Sequence, residues 1–550
     1  MTQRTVRQFV FALLIPMTIG SAEVLVYGED RLGARKAAVH RIRNLIFNND
    51  GDDALHYGGM TDKPDEPTSK KGLMAIRMDH MGDCGLDSVF YCTTQSFNAF
   101  THDSQVTEVF TTTEGAFSGN RTADLIKLGA DPLAVALEAC RRFDLEAFYT
   151  IRVNDIHDNF WYEMISQWKK ENPHLLLGKR EDKTKYPAND SRHVWTLADF
   201  AKQEVRDRMV TIVEDIPIRY DVDGIDLDFL RHPAFFSETR TKQPATDEHR
   251  NLLTDMMVKI RRVVLAASHR QGKPILLSVR VLPTVELNRY LGLDVERWLK
   301  EGIVDFIAVG GGYDPFTMPV KEIIDYGHQC GIPVYACGSV SGLRSPGGVS
   351  DSGIGSNFEC WRAFASNAWH AGADGLMTFN LFPRNPGTDQ TKFVRQVWRE
   401  IQDPKQLIGK DKLFCVDNLE GFPKTSYMFG TVPVEDRLPI QVDQGATVQR
   451  VLPVGDPIAD LEDRVASLNL RIFLDGLQPN DQVSVQMNGI NLSAAPEKAE
   501  WLSGKVPPST MKQGDNIVSV MFESGSAKTL KLASLELSVK YQPSSATRNE

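Results

Sequence analysis

The sequence predicts a (β/α)8 barrel followed by a small all-β sandwich, and three observations carry that expectation. Eight short β-branched or apolar runs recur through the first part of the 550-residue chain. Helical patterns fall between most of them, which is the mark of βαβ units. Towards the C-terminus the long helical stripes stop and alternating apolar and polar residues take over.

The eight runs are 43–47, 87–92, 146–152, 224–229, 275–281, 304–309, 332–337 and 375–380. Asp131-Pro132 is a cap followed by a first-turn proline, after which Leu133, Leu137 and Cys140 keep helical spacing. Leu253, Met256, Met257, Ile260, Val263, Val264 and Ala267 form a second stripe at that period, closed by Gly272-Lys-Pro274. A doubly wound sheet would give a similar alternation, but Asn48-Asn-Asp-Gly-Asp-Asp53 is not the glycine-rich phosphate loop that follows its first strand. The runs 466–474, 482–487, 516–522 and 530–541, with an Asn488-Gly489 turn, predict the sandwich. The expected order is therefore an export signal at 1–22, a barrel at 23–402, a connection at 403–445, a β-module at 446–541 and a polar tail at 542–550. A cut near Gly445 is expected to leave the barrel whole.

The signal reading rests on Arg4 and Arg7, an apolar run at 9–19 and the small residues Gly20-Ser21-Ala22. Export to the periplasm or beyond the cell is expected, with no membrane span in the mature chain. The net charge of −10, without a sustained basic run, argues against a nucleic-acid partner. The seven cysteines include no Cys-x-x-Cys pair and read as core packing residues. No metal and no cofactor are expected.

The most informative stretch is Tyr220-Asp-Val-Asp-Gly-Ile-Asp-Leu-Asp-Phe-Leu-Arg-His-Pro233. Strand alternation puts Ile225, Leu227 and Phe229 on one face and Asp226 and Asp228 on the other, roughly 7 Å apart along the backbone. In a parallel barrel the acidic face points into the mouth, where functional groups come from strand C-termini. Those ends offer Asn48, Asn49 and Asp50, then Arg152, Asn154 and Asp155, then Asp226, Asp228 and Arg231, and later Arg280, Tyr313, Asp314, Ser339 and Asn380. No lysine is among them, which weighs against Schiff-base chemistry. Carboxylates among arginines and amides suit glycosidic-bond cleavage, in which one acid protonates the leaving oxygen while a second carboxylate stabilises, attacks or activates water. Asp228 is the expected nucleophile or stabilising carboxylate, Asp226 tunes it, and Asp314 is the expected general acid. Arg152, Asp155, Arg231, Arg280, Tyr313, Asn380, Asn49 and Asp50 are the expected substrate contacts. Arg152 and Arg280 either clamp an anionic glycan or pair with the aspartates. His80 and His157 read as ordinary polar residues.

Asp223-Gly-Ile-Asp-Leu-Asp-Phe-Leu-Arg-His-Pro233 resembles the fourth-strand motif of glycosyl-hydrolase-like family 10, a segment of the form Asp-Gly-Ile-x-x-Asp-x-x-Arg-x-Pro. Trp298-Leu-Lys-Glu-Gly-Ile-Val-Asp-Phe-Ile307 is similar to a further segment of that family. The resemblance implies a barrel glycoside hydrolase acting on a poly- or oligosaccharide. The same strand resembles the Asp-x-x-Asp-x-Asp-x-Glu signature of chitinase-type barrels, except that Leu230 stands at the glutamate. That departure keeps a non-catalytic carbohydrate-binding barrel as the alternative. Lys512-Gln-Gly-Asp-Asn-Ile-Val-Ser-Val520 resembles the jelly-roll modules of carbohydrate-active enzymes.

Overall fold

The computed structural model describes residues 29–60, 67–310, 317–339, 357–383, 388–416, 418 and 438–543. The export segment, Tyr313, Asp314 and most of the polar tail lie outside these residues, as does the central part of the connection.

Eight parallel strands close into a barrel in sequence order. They are β1 (Leu45–Asn49), β2 (Ser88–Cys92), β3 (Glu146–Arg152), β4 (Gly224–Asp228), β5 (Leu276–Val281), β6 (Phe306–Val309), β7 (Val334–Ser339) and β8 (Gly375–Phe379). Each falls on one of the eight runs, because a strand buried on both faces reads as a near-continuous apolar stretch. The helices that follow them in turn are α1 (Lys70–Ile76), α2 (Pro132–Arg142), α3 (Gln203–Arg219), α4 (Asp247–Gln271), α5 (Val295–Lys300), α6 (Lys321–Gln329), α7 (Phe358–His370) and α8 (Asp389–Ile401). As the sequence predicts, Asp131 caps α2 through the Ala134 N–H, and Gly272 ends α4 in the left-handed conformation.

The barrel interior is packed with side chains. Phe148 stacks on Phe90 with ring centroids 4.5 Å apart, and Phe306 closes the layer edge-on at 5.4 Å from Phe148. This layer explains the glycine of the Asp-Gly-Ile motif. A Cβ on Gly224 would come within 2.0 Å of the Phe148 ring. On the outside, Phe47 of β1 packs on Trp398 of α8, and Phe229 beyond β4 packs on Trp298 of α5.

The C-terminal strands are β9 (Lys412–Val416), β10 (Ile440–Asp443), β11 (Thr447–Val454), β12 (Val465–Asp475), β13 (Gln482–Met487), β14 (Ile490–Leu492), β15 (Ala495–Lys498), β16 (Trp501–Lys505), β17 (Gly514–Ser524) and β18 (Thr529–Tyr541). One sheet runs β9-β18-β12-β16-β15 with β10 also on β18, and the other runs β11-β17-β13-β14. Residues of both, such as Leu470, Leu537, Val520 and Met487, share one core. Two strands of this sandwich, β9 and β10, fall within the stretch expected to be a connection, and both pair antiparallel with β18. The module docks on α7, where Ser366 donates to Asp456 at 2.8 Å and the Gly455 N–H donates to Asn367 at 2.6 Å. Asp456 also meets Lys412 at 2.7 Å and accepts from Tyr541 at 2.9 Å, so one buried carboxylate ties α7, β9 and β18 together.

Among the described residues no helix is long and apolar enough to cross a membrane. No cysteine there forms a disulfide, and all are buried except the half-buried Cys330.

Candidate active site

The register of β3, β4 and β5 sets the site. Asp226 lies opposite Thr150 and Ser278, and Asp228, one step higher, lies opposite Arg152 and Arg280. All six polar residues therefore share the inward face, as the alternation of the motif requires.

Asp226 is the deeper acid. It accepts hydrogen bonds from Thr150 at 3.1 Å, Ser278 at 3.0 Å and Arg280 at 2.7 Å. Burial raises its carboxyl above the ordinary range against the pull of Arg280, and the neighbouring Asp228 charge adds to the rise. Asp228 meets the other arm of the same guanidinium at 3.3 Å and accepts the Leu230 N–H at 2.9 Å. One arginine thus serves two carboxylates. Leu230, at the chitinase glutamate position, has its side chain buried in the barrel core.

A second network stands beside the first. Arg152 is ion-paired with Asp50 beyond β1 and with Asp155 at 3.2 Å. Arg231 approaches Asp50 at 3.7 Å. Burial would raise the Asp50 carboxyl, but Arg152 and then Arg231 outweigh it and hold the group below the ordinary carboxylate range. Burial is likewise outweighed at Asp155, where His157 and Arg152 keep the carboxyl well below that range. The two networks meet at Phe379 of β8, whose ring lies 5.6 Å from the guanidinium carbons of both Arg231 and Arg280.

The turn that carries Asp50 depends on glycine. Gly51 has φ 66°, and a Cβ there would stand 1.4 Å from the Cys92 carbonyl oxygen. Asn49 faces the other side of β1, where its Oδ1 accepts from Arg77 at 2.8 Å and from the Gly51 N–H at 3.2 Å, so it supports the turn from outside the mouth. Asn154 is also structural, spanning Ala198 and Ala234 backbone groups.

Arg152 and Arg280 are both ion-paired with aspartates. A further residue joins the site that the sequence reading treats as ordinary. His157 Nδ1 is 2.7 Å from Asp155, and its Nε2 faces Arg231 at 3.1 Å. The signal was present as Asp155-x-His157 directly after β3, a spacing that lets the two side chains meet when the chain turns at once into a helical turn, His157–Phe160. That turn is anchored by the buried pair of Lys169 and Asp158 at 2.6 Å, with Ser96 donating to the same carboxylate.

Asp155, His157 and His232 bring ligand atoms within 4.8 Å of one another. They do not suit a cation. His232 Nδ1 accepts the Ile156 N–H at 3.1 Å, which puts the ring proton on Nε2, while His157 has both nitrogens engaged between a carboxylate and a guanidinium. The trio is the orienting part of the arginine network.

Several buried polar atoms of the mouth have no hydrogen-bond partner among the described residues: both amide atoms of Asn48, Asn380 Oδ1 and Arg280 Nε. Asn48 is in register with Phe379 on one side and Phe90 on the other, and Asn380 follows Phe379 with φ 58°.

Residues 105–318 match the family model described as Glycosyl hydrolase-like 10. The matched stretch contains β3 to β6, and with them Arg152, Asp155, Asp226, Asp228, Arg231 and Arg280. No curated protein matches the sequence. Similar solved structures include an α-L-fucosidase isoenzyme from Paenibacillus thiaminolyticus, at 13% identity over 69% of this chain and 51% of that one, with a TM-score of 0.39. An α-galactosidase from Geobacillus stearothermophilus matches at 13% identity over 91% of this chain and 56% of that one, TM-score 0.34. An α-amylase from Geobacillus thermoleovorans matches at 10% identity over 88% of this chain and 99% of that one, TM-score 0.36. The chain spans about half the length of the fucosidase and galactosidase, at 51% and 56%.

Proposed function

We propose that this glycosyl-hydrolase-like barrel is a glycoside hydrolase acting on a poly- or oligosaccharide, with Asp228 as its central carboxylate. The observation that carries the reading is the shared guanidinium of Arg280. It binds Asp226 and Asp228 together at the mouth, with Asp228 the upper of the two and the buried Asp226 carboxyl raised above its ordinary range. An ionised carboxylate there stabilises or attacks an oxocarbenium-like centre. Asp50, held ionised by Arg152 and Arg231 at the rim, is the second carboxylate that a bound sugar would meet. The proton donor to the leaving oxygen is proposed to be Asp314, which follows β6 in the sequence and lies outside the described residues. The pattern at 1–22 supports action outside the cytoplasm, and the mass of the mature N-terminus would test it.

Asp228→Asn keeps the shape and removes the charge, so hydrolysis should fall by about 100-fold or more while the melting temperature changes little. Activity within about threefold of wild type would overturn the role of Asp228. Asp314→Asn should slow poor leaving groups far more than activated aryl glycosides, because only the former need a proton. A specific observation favours the second reading, a binding barrel that does not cleave: every acid of the described mouth is already paired with an arginine or a histidine. Polysaccharide binding without hydrolysis of any glycoside would select it.

A further inference from the structure

Phe160, Trp161 and Tyr162 are consecutive and stand 48%, 42% and 45% exposed. Every other exposed large hydrophobic among the described residues is a lone aliphatic side chain, so this is the one aromatic cluster left in water there. Water contact on three rings is unfavourable without a partner to cover them.

The rings are held. Phe117, part of a small core with Leu55, Phe110 and Met164, meets Trp161 edge-on at 6.1 Å. Trp161 also lies nearly parallel to His157, with centroids 6.1 Å apart and planes 10° apart. Arg180 sits 4.6 Å over the Tyr162 ring. Because His157 is itself bonded to Asp155 and Arg231, the aromatic surface is continuous with the carboxylate network of the mouth.

We propose that Trp161, flanked by Phe160 and Tyr162, is a stacking platform for pyranose rings of a glycan chain that extends out of the mouth. The proposal rests on the glycan reading of the site above. A sugar ring with equatorial hydroxyls offers a flat C–H face to an aromatic ring and turns its hydroxyls to the rim, which matches aromatic surface bordered by charged groups. The mouth arginines Arg152 and Arg280 are already paired with aspartates, which favours an uncharged chain over an acidic one. The occupant is therefore a neutral polymer or long oligosaccharide.

Affinity electrophoresis of full-length Asp228→Asn protein in gels containing hydroxyethyl-cellulose, glycol chitin or polygalacturonate tests this. Retardation by one of the first two polymers is expected, and adding Trp161→Ala should weaken it by about tenfold. Trp161→Phe should restore most of the retardation, which a purely structural role would not require. Tyr162→Ala, which leaves the Trp161 packing in place, should also weaken it and serves if Trp161→Ala fails to fold. Equal retardation with and without the rings, retardation by polygalacturonate alone, or retardation by none of the three polymers overturns the platform. Hydrolysis is not read in these gels, so a protein that binds through Trp161 yet cleaves no glycoside removes the hydrolase reading and leaves the platform standing.

Discussion

The two ends of the barrel are both built on buried arginine–carboxylate networks, and the Arg43–Glu146 pair at the floor is satisfied throughout while several polar atoms of the mouth are not. At the floor, Arg43 bonds Glu146 at 2.6 and 2.7 Å and gives its remaining N–H groups to the carbonyls of Ala38, Val39 and Arg41, while Ser88 completes Glu146 at 2.7 Å. Nearby Asp305 takes Arg35, Arg261 at 2.8 Å and the Leu277 N–H at 2.7 Å. At the mouth, among the described residues, Asn48 has no partner for either amide atom, and Asn380 Oδ1 and Arg280 Nε have none. A buried polar group without a partner costs about 1–3 kcal/mol. A fold keeps such a deficit where a ligand completes the bonds, so the floor reads as stability and the mouth as function.

The largest expected effect breaks the floor. Glu146→Gln leaves the Arg43 charge buried and unpaired, which should cost about 3–5 kcal/mol in chemical denaturation. Activity per folded molecule should stay near wild type. Asp50→Asn should cost less stability, because Arg152 keeps Asp155, and far more activity. The same loss of stability from both, with activity intact in both, would erase the distinction.

Acid sharpens the comparison only once the buried histidines are counted. His102, packed between Thr93 and Tyr149 away from both networks, is pushed from its ordinary value to about 3 by burial and by the Arg219 charge. Below pH ~6.5 the unfolded chain binds a proton that folded His102 refuses, so stability should fall as pH drops from ~6.5 towards the folded value, by about 1.4 kcal/mol per unit. His102→Gln should reduce that slope in melting curves without abolishing it, because burial holds His232 well below its ordinary value too, and an unchanged slope would show that His232 or the acids dominate instead.

A smaller effect of opposite sign belongs to the mouth. Asn48→Leu replaces an amide without partners by an apolar group of similar size, and should stabilise the fold by about 1 kcal/mol while lowering turnover. Destabilisation would mean that the Asn48 amide is satisfied in solution and is no mark of a ligand.

The barrel was legible because eight doubly buried strands must read as apolar runs, and Asp226 and Asp228 stood out because acids inside such a run are costly. What pairing would do was not legible. Whether Arg152 and Arg280 face substrate or aspartate depends on strand register, which sets Asp228 opposite both. His157 was passed over because both it and Asp155 lie beyond the strand end at Arg152, where strand alternation no longer says which side chains meet, and only the turn brings them together. The strand Lys412–Val416 was hidden inside an apparent connection because its pairing partner, Thr529–Tyr541, lies more than a hundred residues later. That pairing changes the expectation for a cut near Gly445, which would strip β9 and β10 of β18 and should give an insoluble protein.

Asn380 offers the finest division between backbone and side chain. It holds φ 58° directly after β8, a conformation that asparagine tolerates better than alanine and that glycine adopts freely. Asn380→Gly removes the Oδ1 group and keeps the turn, so stability should stay within about 0.5 kcal/mol of wild type, glycine's gain in freedom when unfolded offsetting its relief when folded. Asn380→Ala removes the same oxygen and strains the turn, at about 1 kcal/mol more. If the unpartnered oxygen serves the ligand, both variants lose turnover equally despite their different stabilities. If turnover instead follows stability, with the glycine variant as active as wild type, Asn380 is a backbone device at the strand end, and the mouth's deficit narrows to Asn48 and Arg280.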